Sequence, residues 1–265
     1  MTLPIYLVDA FTDTPFRGNP AAVCIVETPL TSALMQQIAA EMAVSETAFL
    51  CLSEMNLRWF TPQTEVALCG HGTLAVAKVL AEQNKLQTGQ TLTFTTLSGP
   101  LSVTAEGERF TLDFPETPAL PCPPDLPLLA ALGIEPGAVS HFAMAGPKVL
   151  IVLEQPALLR QLAPDMAALR RLPGRGVVVS TPSDDPSFDL LSRYFAPWVG
   201  VEEDPVTGSA HCMLSPYWGE RLACRELRAW QASARGGALQ LERRAGGRLA
   251  MTGAAVIMLR GALSL

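Results

Sequence analysis

The 265-residue chain is 49% hydrophobic and 17% charged, a globular composition long enough for one large domain or two modest ones. Its net charge of −6 argues against a nucleic-acid partner. No run approaches the ~20 apolar residues of a membrane span, Met1-Thr2-Leu3-Pro4 lacks the basic start of an export signal, and Cys24, Cys51, Cys69, Cys122, Cys212 and Cys224 form no CxxC pair, so a cytoplasmic protein with free thiols is expected.

In chain order, residues 5–8 read as a strand, and 21–26 as another after the turn Gly18-Asn19-Pro20. Leu34, Met35, Ile38 and Met42 share one helical face behind Thr31 or Ser32 as N-cap. Strands are expected at 47–52 and 57–60, a helix from Gly72-Thr73 through Leu80, and a polar hairpin pattern over 88–114. The proline-rich segment 116–127 reads as a domain crossing. A short helix at 126–132, a buried strand at 149–153, helical text over 156–172, strands at 177–180 and 190–195, and a helix over 208–218 follow. Strands at 227–232, 238–243 and 249–259 close the chain. Arg221, Arg225, Arg228, Arg235, Arg243, Arg244 and Arg248 crowd one stretch and read as solvated strand faces.

An internal echo runs through this order. Arg58-Trp59-Phe60-Thr61-Pro62 is matched by Arg193-Tyr194-Phe195-Ala196-Pro197. Each is a strand ending in proline, followed by an acidic loop, a glycine and a helix start: Gly70-His71-Gly72-Thr73 and Thr207-Gly208-Ser209-Ala210. That repetition predicts two similar lobes, 1–115 and 116–253, with the last strand, about 254–265, a candidate to complete the first.

The two helix starts carry the first chemical argument. A helix N-terminus offers unpaired N–H groups and partial positive charge, and small residues let an anion approach them. Gly70, Gly72, Thr73, Gly208, Ser209 and Ala210 are therefore candidates to hold a small carboxylate-bearing substrate. Glu46, in Ser45-Glu46-Thr47-Ala48-Phe49, has small and apolar neighbours. Desolvation there would raise its pKa toward general-base values, although the local sequence alone favours an ordinary surface turn carboxylate. Glu203 and Asp204 precede the second helix start and read as substrate-orienting groups, as a second catalytic base (Asp204 above all), or as complements to the helix dipole. His71, inside the first glycine loop, reads as a substrate or proton-relay group, and His211 as structural. Cys69-x-His71 and His211-Cys212 match no common zinc spacing, so no metal is expected. Dinucleotide, P-loop and nucleophile-elbow motifs are absent.

Taken together, Val8-Asp9-Ala10-Phe11-Thr12, Gly18-Asn19-Pro20-Ala21-Ala22-Val23, Ser45-Glu46-Thr47-Ala48-Phe49, Arg58-Trp59-Phe60-Thr61-Pro62, Glu65-Val66-Ala67-Leu68-Cys69-Gly70-His71-Gly72-Thr73 and Glu203-Asp204-Pro205-Val206-Thr207-Gly208-Ser209-Ala210 resemble the phenazine-biosynthesis isomerase family, related in fold to diaminopimelate epimerase and proline racemase. The resemblance implies an α+β fold of two lobes, each a curled, mostly antiparallel, barrel-like sheet around a central helix, with the active site between them. It implies no cofactor, no metal and a homodimer. It casts Glu46 as the acid/base that moves a proton between carbons of a cyclic amino-carboxylate. His71, Asp204 and Ser209 become substrate-contacting or proton-relay groups, and Asn19 a substrate-binding one. The racemase relatives use two opposed cysteines. Cys69 matches the first, and the second loop holds none, which favours a one-base isomerase over an epimerase or racemase. A non-catalytic ligand-binding protein is the third reading.

Overall fold

The computed structural model describes residues 2–265. In chain order it contains β1 (Thr2–Ala10), β2 (Asn19–Val26), α1 (Ser32–Met42), β3 (Glu46–Cys51), β4 (Asn56–Phe60), β5 (Glu65–Val66), α2 (Gly70–Glu82), β6 (Thr91–Thr96), β7 (Gly99–Glu106) and β8 (Arg109–Pro115). There follow β9 (Leu120–Pro121), α3 (Leu126–Leu132), β10 (Val139–Ala145), β11 (Lys148–Leu153), α4 (Pro156–Gln161), α5 (Met166–Arg171), β12 (Gly176–Pro182), β13 (Leu190–Ala196), β14 (Val201–Glu203), α6 (Gly208–Arg221), β15 (Glu226–Gln231), β16 (Gly237–Arg244) and β17 (Arg248–Ser264). The described residues form two compact units, 2–114 with 250–265, and 115–249.

The first unit is a closed barrel. β1 pairs antiparallel with β2, β2 parallel with β3 across the α1 crossover, and β3 antiparallel with β4. β4 meets β6 in parallel, and β6, β7 and β8 continue antiparallel. β17 pairs with both β8 and β1, which closes an eight-strand ring and removes its open edges. α2 runs through the ring. Nine of its thirteen residues are buried, as expected of a helix apolar on every side. α1 covers the outside, where Met35, Ile38 and Ala39 pack on Leu3, Ile5, Ala22, Cys24, Phe49 and Phe60. Gly72 is required inside, because a Cβ there would stand 2.9 Å from Trp59 Cδ1 and 3.0 Å from Cys69 Sγ.

The second unit repeats this grammar. β10 pairs antiparallel with β11, β11 parallel with β12, β12 antiparallel with β13, β13 parallel with β15, and β15 antiparallel with β16. α6 occupies the place of α2, and α3, α4 and α5 cover the outer face with Leu128, Leu129, Leu132, Leu159 and Leu169. The expected helix over 156–172 is two short helices instead. Pro164 cannot continue the first, and Asp165 caps the second by accepting from the Ala168 N–H at 2.8 Å. The arginine-rich stretch is ion-paired: Arg221 to Glu154, Arg228 to Asp189, Arg243 to Glu116 and Arg244 to Glu242. No helix among the described residues is long and apolar enough to cross a membrane.

The echo read in the sequence is physical. On β4, Arg58 forks onto both carboxylate oxygens of Glu65 at 2.7 Å and lies over the Phe60 ring. On β13, Arg193 forks onto Glu203 at 2.8 and 2.9 Å and lies over Phe195. Arg193 also donates to the carbonyls of Leu159 and Leu162, tying α4 to the sheet. Arg193→Gln orphans the carboxylate and loosens both carbonyls. It is expected to cost roughly 2–4 kcal/mol, read as a lower urea midpoint with an unchanged m-value.

Candidate active site

The parallel pairing of β2 and β3 brings the starts of both strands to one end of the barrel, with Ala21 opposite Glu46. Asn19 opens β2, Glu46 opens β3, and Ser45 immediately precedes it. Gly18 makes the turn into β2 possible. Its φ is +67°, and a Cβ there would strike the Ala10 carbonyl oxygen. The β4–β5 hairpin delivers the N-terminus of α2 to the same end, carrying Cys69, Gly70 and His71. Asn19, Ser45, Glu46, Cys69 and His71 thus form one cluster in the first unit.

His71 is the hub. Its side chain is 6% exposed, and Glu46 Oε2 lies 3.2 Å from its Nε2. Ser45 Oγ also lies 3.2 Å from Nε2, and Asn19 Nδ2 lies 3.3 Å from Nδ1. Asn19 was expected to bind substrate. It is fully enclosed, and its amide is engaged with His71 and Ser45. Glu46 Oε2 is buried yet makes no well-aligned hydrogen bond, because the Nε2 direction is taken by Ser45. Leaving such an acceptor unbonded costs about 1–3 kcal/mol, and exceptions of this kind need a reason.

The electrostatics depart from the sequence expectation for Glu46. Burial pushes its carboxyl up, as expected, but the charge of His71, aided by the close polar contacts of His71 and Ser45, pulls it down, and the net shift is downward. Burial pushes His71 down, but the adjoining Cys69 sulfur and Glu46 carboxylate win and hold it well above the ordinary imidazole range. Burial keeps the Cys69 thiol raised and hence protonated, so Glu46 supplies the negative charge.

Cys69 is the N-cap of α2, its sulfur accepting from the Gly72 N–H at 3.3 Å. Its Sγ lies 3.6 Å from His71 Nδ1 and 3.9 Å from Nε2. Such near-equal distances place it beside the ring, off the in-plane direction of either nitrogen. Glu46, Cys69 and His71 offer one ligand atom each within 4.8 Å. A shared metal needs those lone pairs to converge at about 2.0–2.3 Å, and the sulfur and the ring nitrogens do not point at a common centre.

The second unit has the corresponding cluster at the start of α6. Thr207 is the N-cap, in the position Cys69 holds on α2. Thr73 Oγ1 donates back to the Cys69 carbonyl at 2.7 Å, and His211 Nδ1 bonds the Thr207 carbonyl at 2.8 Å, four residues apart in both helices. His211 is fully buried and pushed down to about 4, which fits a structural imidazole. The Thr207 hydroxyl donates to Asp204 Oδ2 at 2.6 Å, and buried Gln231 holds the loop through the Thr207 N–H and the Asp204 carbonyl. Ser209 is exposed and accepts from Lys148 Nζ at 2.7 Å. Gly208 and Ala210 are buried beside it. Burial lowers the Lys148 ammonium below the ordinary range, against the opposing pull of Cys212 and Asp204.

Sequence reasoning passed over Ser45, Lys148 and Gln231. Ser45 stood in a quoted motif without a role. Lys148 had a signal: it is one of only three lysines, placed at the start of an apolar strand. Gln231 had none, since its partners lie more than twenty residues away.

Against known proteins, residues 8–261 match the family model described as phenazine biosynthesis-like protein. An uncharacterized isomerase of Halalkalibacterium halodurans is 45% identical over 268 aligned positions, spanning 100% of both chains. The crystal structure of a phenazine biosynthesis protein of the PhzF family from Enterococcus faecalis superposes with a TM-score of 0.93 at 42% identity, again covering 100% of both chains. A hydroxyproline epimerase from Agrobacterium vitis, solved with trans-4-hydroxy-L-proline, has a TM-score of 0.66 at 12% identity, covering 100% of this chain and 93% of that one, and shows the shared fold alone.

Proposed function

The chain belongs to the phenazine biosynthesis-like family and is an isomerase, and from that premise we propose that it moves a proton between two carbons of a small cyclic amino-carboxylate, without a cofactor, using Glu46 as its single acid/base. The observation that carries this reading is the Glu46 carboxylate: one oxygen is buried and unbonded, and it stands beside an imidazole that keeps it ionised. A base for a carbon acid needs that combination, because a carboxylate saturated with donors has no lone pair to offer. In the forward step Glu46 takes H⁺ from a ring carbon, and the electron pair of the broken C–H bond delocalises toward the substrate carboxylate. The carboxyl, whose proton exchanges with solvent while it is held there, then gives one proton to a second carbon, so the product has the composition and oxidation state of the substrate. His71 stabilises Glu46 while it is anionic. Asp204, Ser209 and the small residues Gly70, Gly72, Thr73, Gly208 and Ala210 are assigned to substrate binding, with the helix N–H groups facing a carboxylate.

Epimerisation by paired thiols is disfavoured by the residue at the second N-cap. Where a second cysteine is needed, α6 carries Thr207, whose hydroxyl is committed to Asp204.

The test is solvent exchange. Cyclic amino-carboxylates, from proline and pipecolate to amino-cyclohexadiene carboxylates, are incubated with the protein in D2O and followed by NMR. Deuterium should enter a cyclohexadiene substrate with movement of its double bonds. Inversion at the α-carbon of proline without bond migration would replace the isomerase reading by the epimerase one. No exchange in any member would remove this substrate class.

A further inference from the structure

The hydrogen bonds around His71 are a puzzle in donors and acceptors, and its solution assigns a role to Asn19. Ser45 Oγ has three neighbours at 3.2 Å: Asn19 Oδ1, the Pro20 carbonyl and His71 Nε2. The two oxygens only accept, and the hydroxyl has one proton to give. It therefore spends that proton on a carbonyl and receives one from Nε2–H. Asn19 Nδ2, which only donates, faces Nδ1 at 3.3 Å. Nδ1 in this arrangement is an acceptor, and the ring is the neutral Nε2–H form.

A second arrangement satisfies the same atoms. With the Asn19 amide turned over, Oδ1 accepts from Nδ1–H, Nδ2 donates to Ser45 Oγ, and Ser45 donates to Pro20. The ring is then doubly protonated. Nε2 carries a proton in both arrangements, and only Nδ1 changes. The charged or titratable groups facing the ring are Glu46 from β3 and Cys69 from the cap of α2. The first favours the cation, and the second is a protonated thiol.

We propose that Asn19 is a positioning residue that holds His71 with its Nε2–H toward Ser45 and Glu46 in every charge state, and that charging the ring at Nδ1 is coupled to turnover of the Asn19 amide. The proposal rests on the Glu46 reading only for its catalytic meaning. A ring nitrogen that already carries a proton cannot accept one from Glu46, so the abstracted proton is not passed to His71 and leaves the carboxylate only to carbon or to solvent. His71 thus acts as a fixed donor and charge, and not as a relay.

The test needs no substrate, so it fails separately from the proposed reaction. The ring nitrogens of His71 are followed by long-range ¹H–¹⁵N correlation from pH 5 to 10 in the full ¹⁵N-labelled chain, in the parent, Asn19→Asp and Asn19→Leu. Nε2 is expected to keep its proton throughout in the parent, with any loss on raising pH occurring at Nδ1. Asn19→Asp places a carboxylate on Nδ1 and should raise the midpoint at least tenfold in proton affinity, as opposite charges at such range do. Asn19→Leu can neither donate nor accept, and should lower the midpoint or leave the neutral ring as a mixture of its two forms. A neutral parent ring protonated at Nδ1, or identical titration of the parent and both variants, would overturn the proposal. Should neither variant fold, the parent spectrum alone decides.

Discussion

Glu46→Gln is expected to lower the rate of solvent deuterium entry into substrate by 10²–10⁴-fold, the range that a positioned general base contributes. Glutamine preserves the volume and one carbonyl oxygen at the end of the side chain, so packing against Ser45 and His71 is kept. What it lacks is a lone pair basic enough to take a proton from carbon. Cys69→Ser is the comparison that isolates the base. Serine caps a helix as well as cysteine does, so the α2 N-terminus is retained while the thiol is lost. Burial already keeps that thiol protonated in the parent, and its removal should reduce the rate by less than tenfold. Mass spectrometry or NMR in D2O reads both variants against the parent. If Cys69→Ser falls as far as Glu46→Gln, or if Glu46→Gln exchanges as fast as the parent, the carboxylate is not the base.

Much of this site could be read without coordinates, and the parts that could not share a cause. The helix starts at Gly70 and Gly208 and the repeat around Arg58 and Arg193 are local patterns, and local patterns survive folding. The repeat proved to be a repeat of interactions, since both arginines hold a glutamate on the adjoining short strand and cover a phenylalanine. The direction of the Glu46 shift was not local. Its apolar sequence neighbours predicted a raised pKa, and burial does push that way, but His71 reaches it from twenty-five positions further along the chain and reverses the sign. Asn19 is another such case. Its motif suggested a ligand contact, whereas the parallel register of β2 and β3 turns its amide onto Ser45 and His71. The break at Pro164 was legible in principle. Apolar helical periodicity on both sides of it masked a residue that cannot donate its backbone proton. Closure of the barrel by β17 depends on pairing residues more than a hundred positions apart, such as Thr111 with Thr252 at 2.7 Å, and no sequence period reports that.

Replacing His71 by glutamine should move the acid limb of exchange toward higher pH. In the parent, burial raises Glu46 and the adjoining His71 cation lowers it, aided by the nearby Ser45, so the active anion persists below the ordinary value of 4.5. Without the cation, burial is opposed by neutral donors alone, and the limb is expected above 4.5. Stability follows the same linkage. Glu46 is depressed in the folded state, so its contribution is present above 4.5 and is lost as pH falls through the lower folded value. His71 is raised, so its contribution is complete below 6.5 and is lost as pH rises through the higher folded value. The stability difference between the parent and His71→Gln, measured by urea unfolding across pH, should therefore be greatest between 4.5 and 6.5 and shrink on both sides. A difference that grows steadily with pH would mean that His71 is neutral in the folded protein. The carboxylate would then be kept ionised without that cation, and the acid limb would stay where the parent has it.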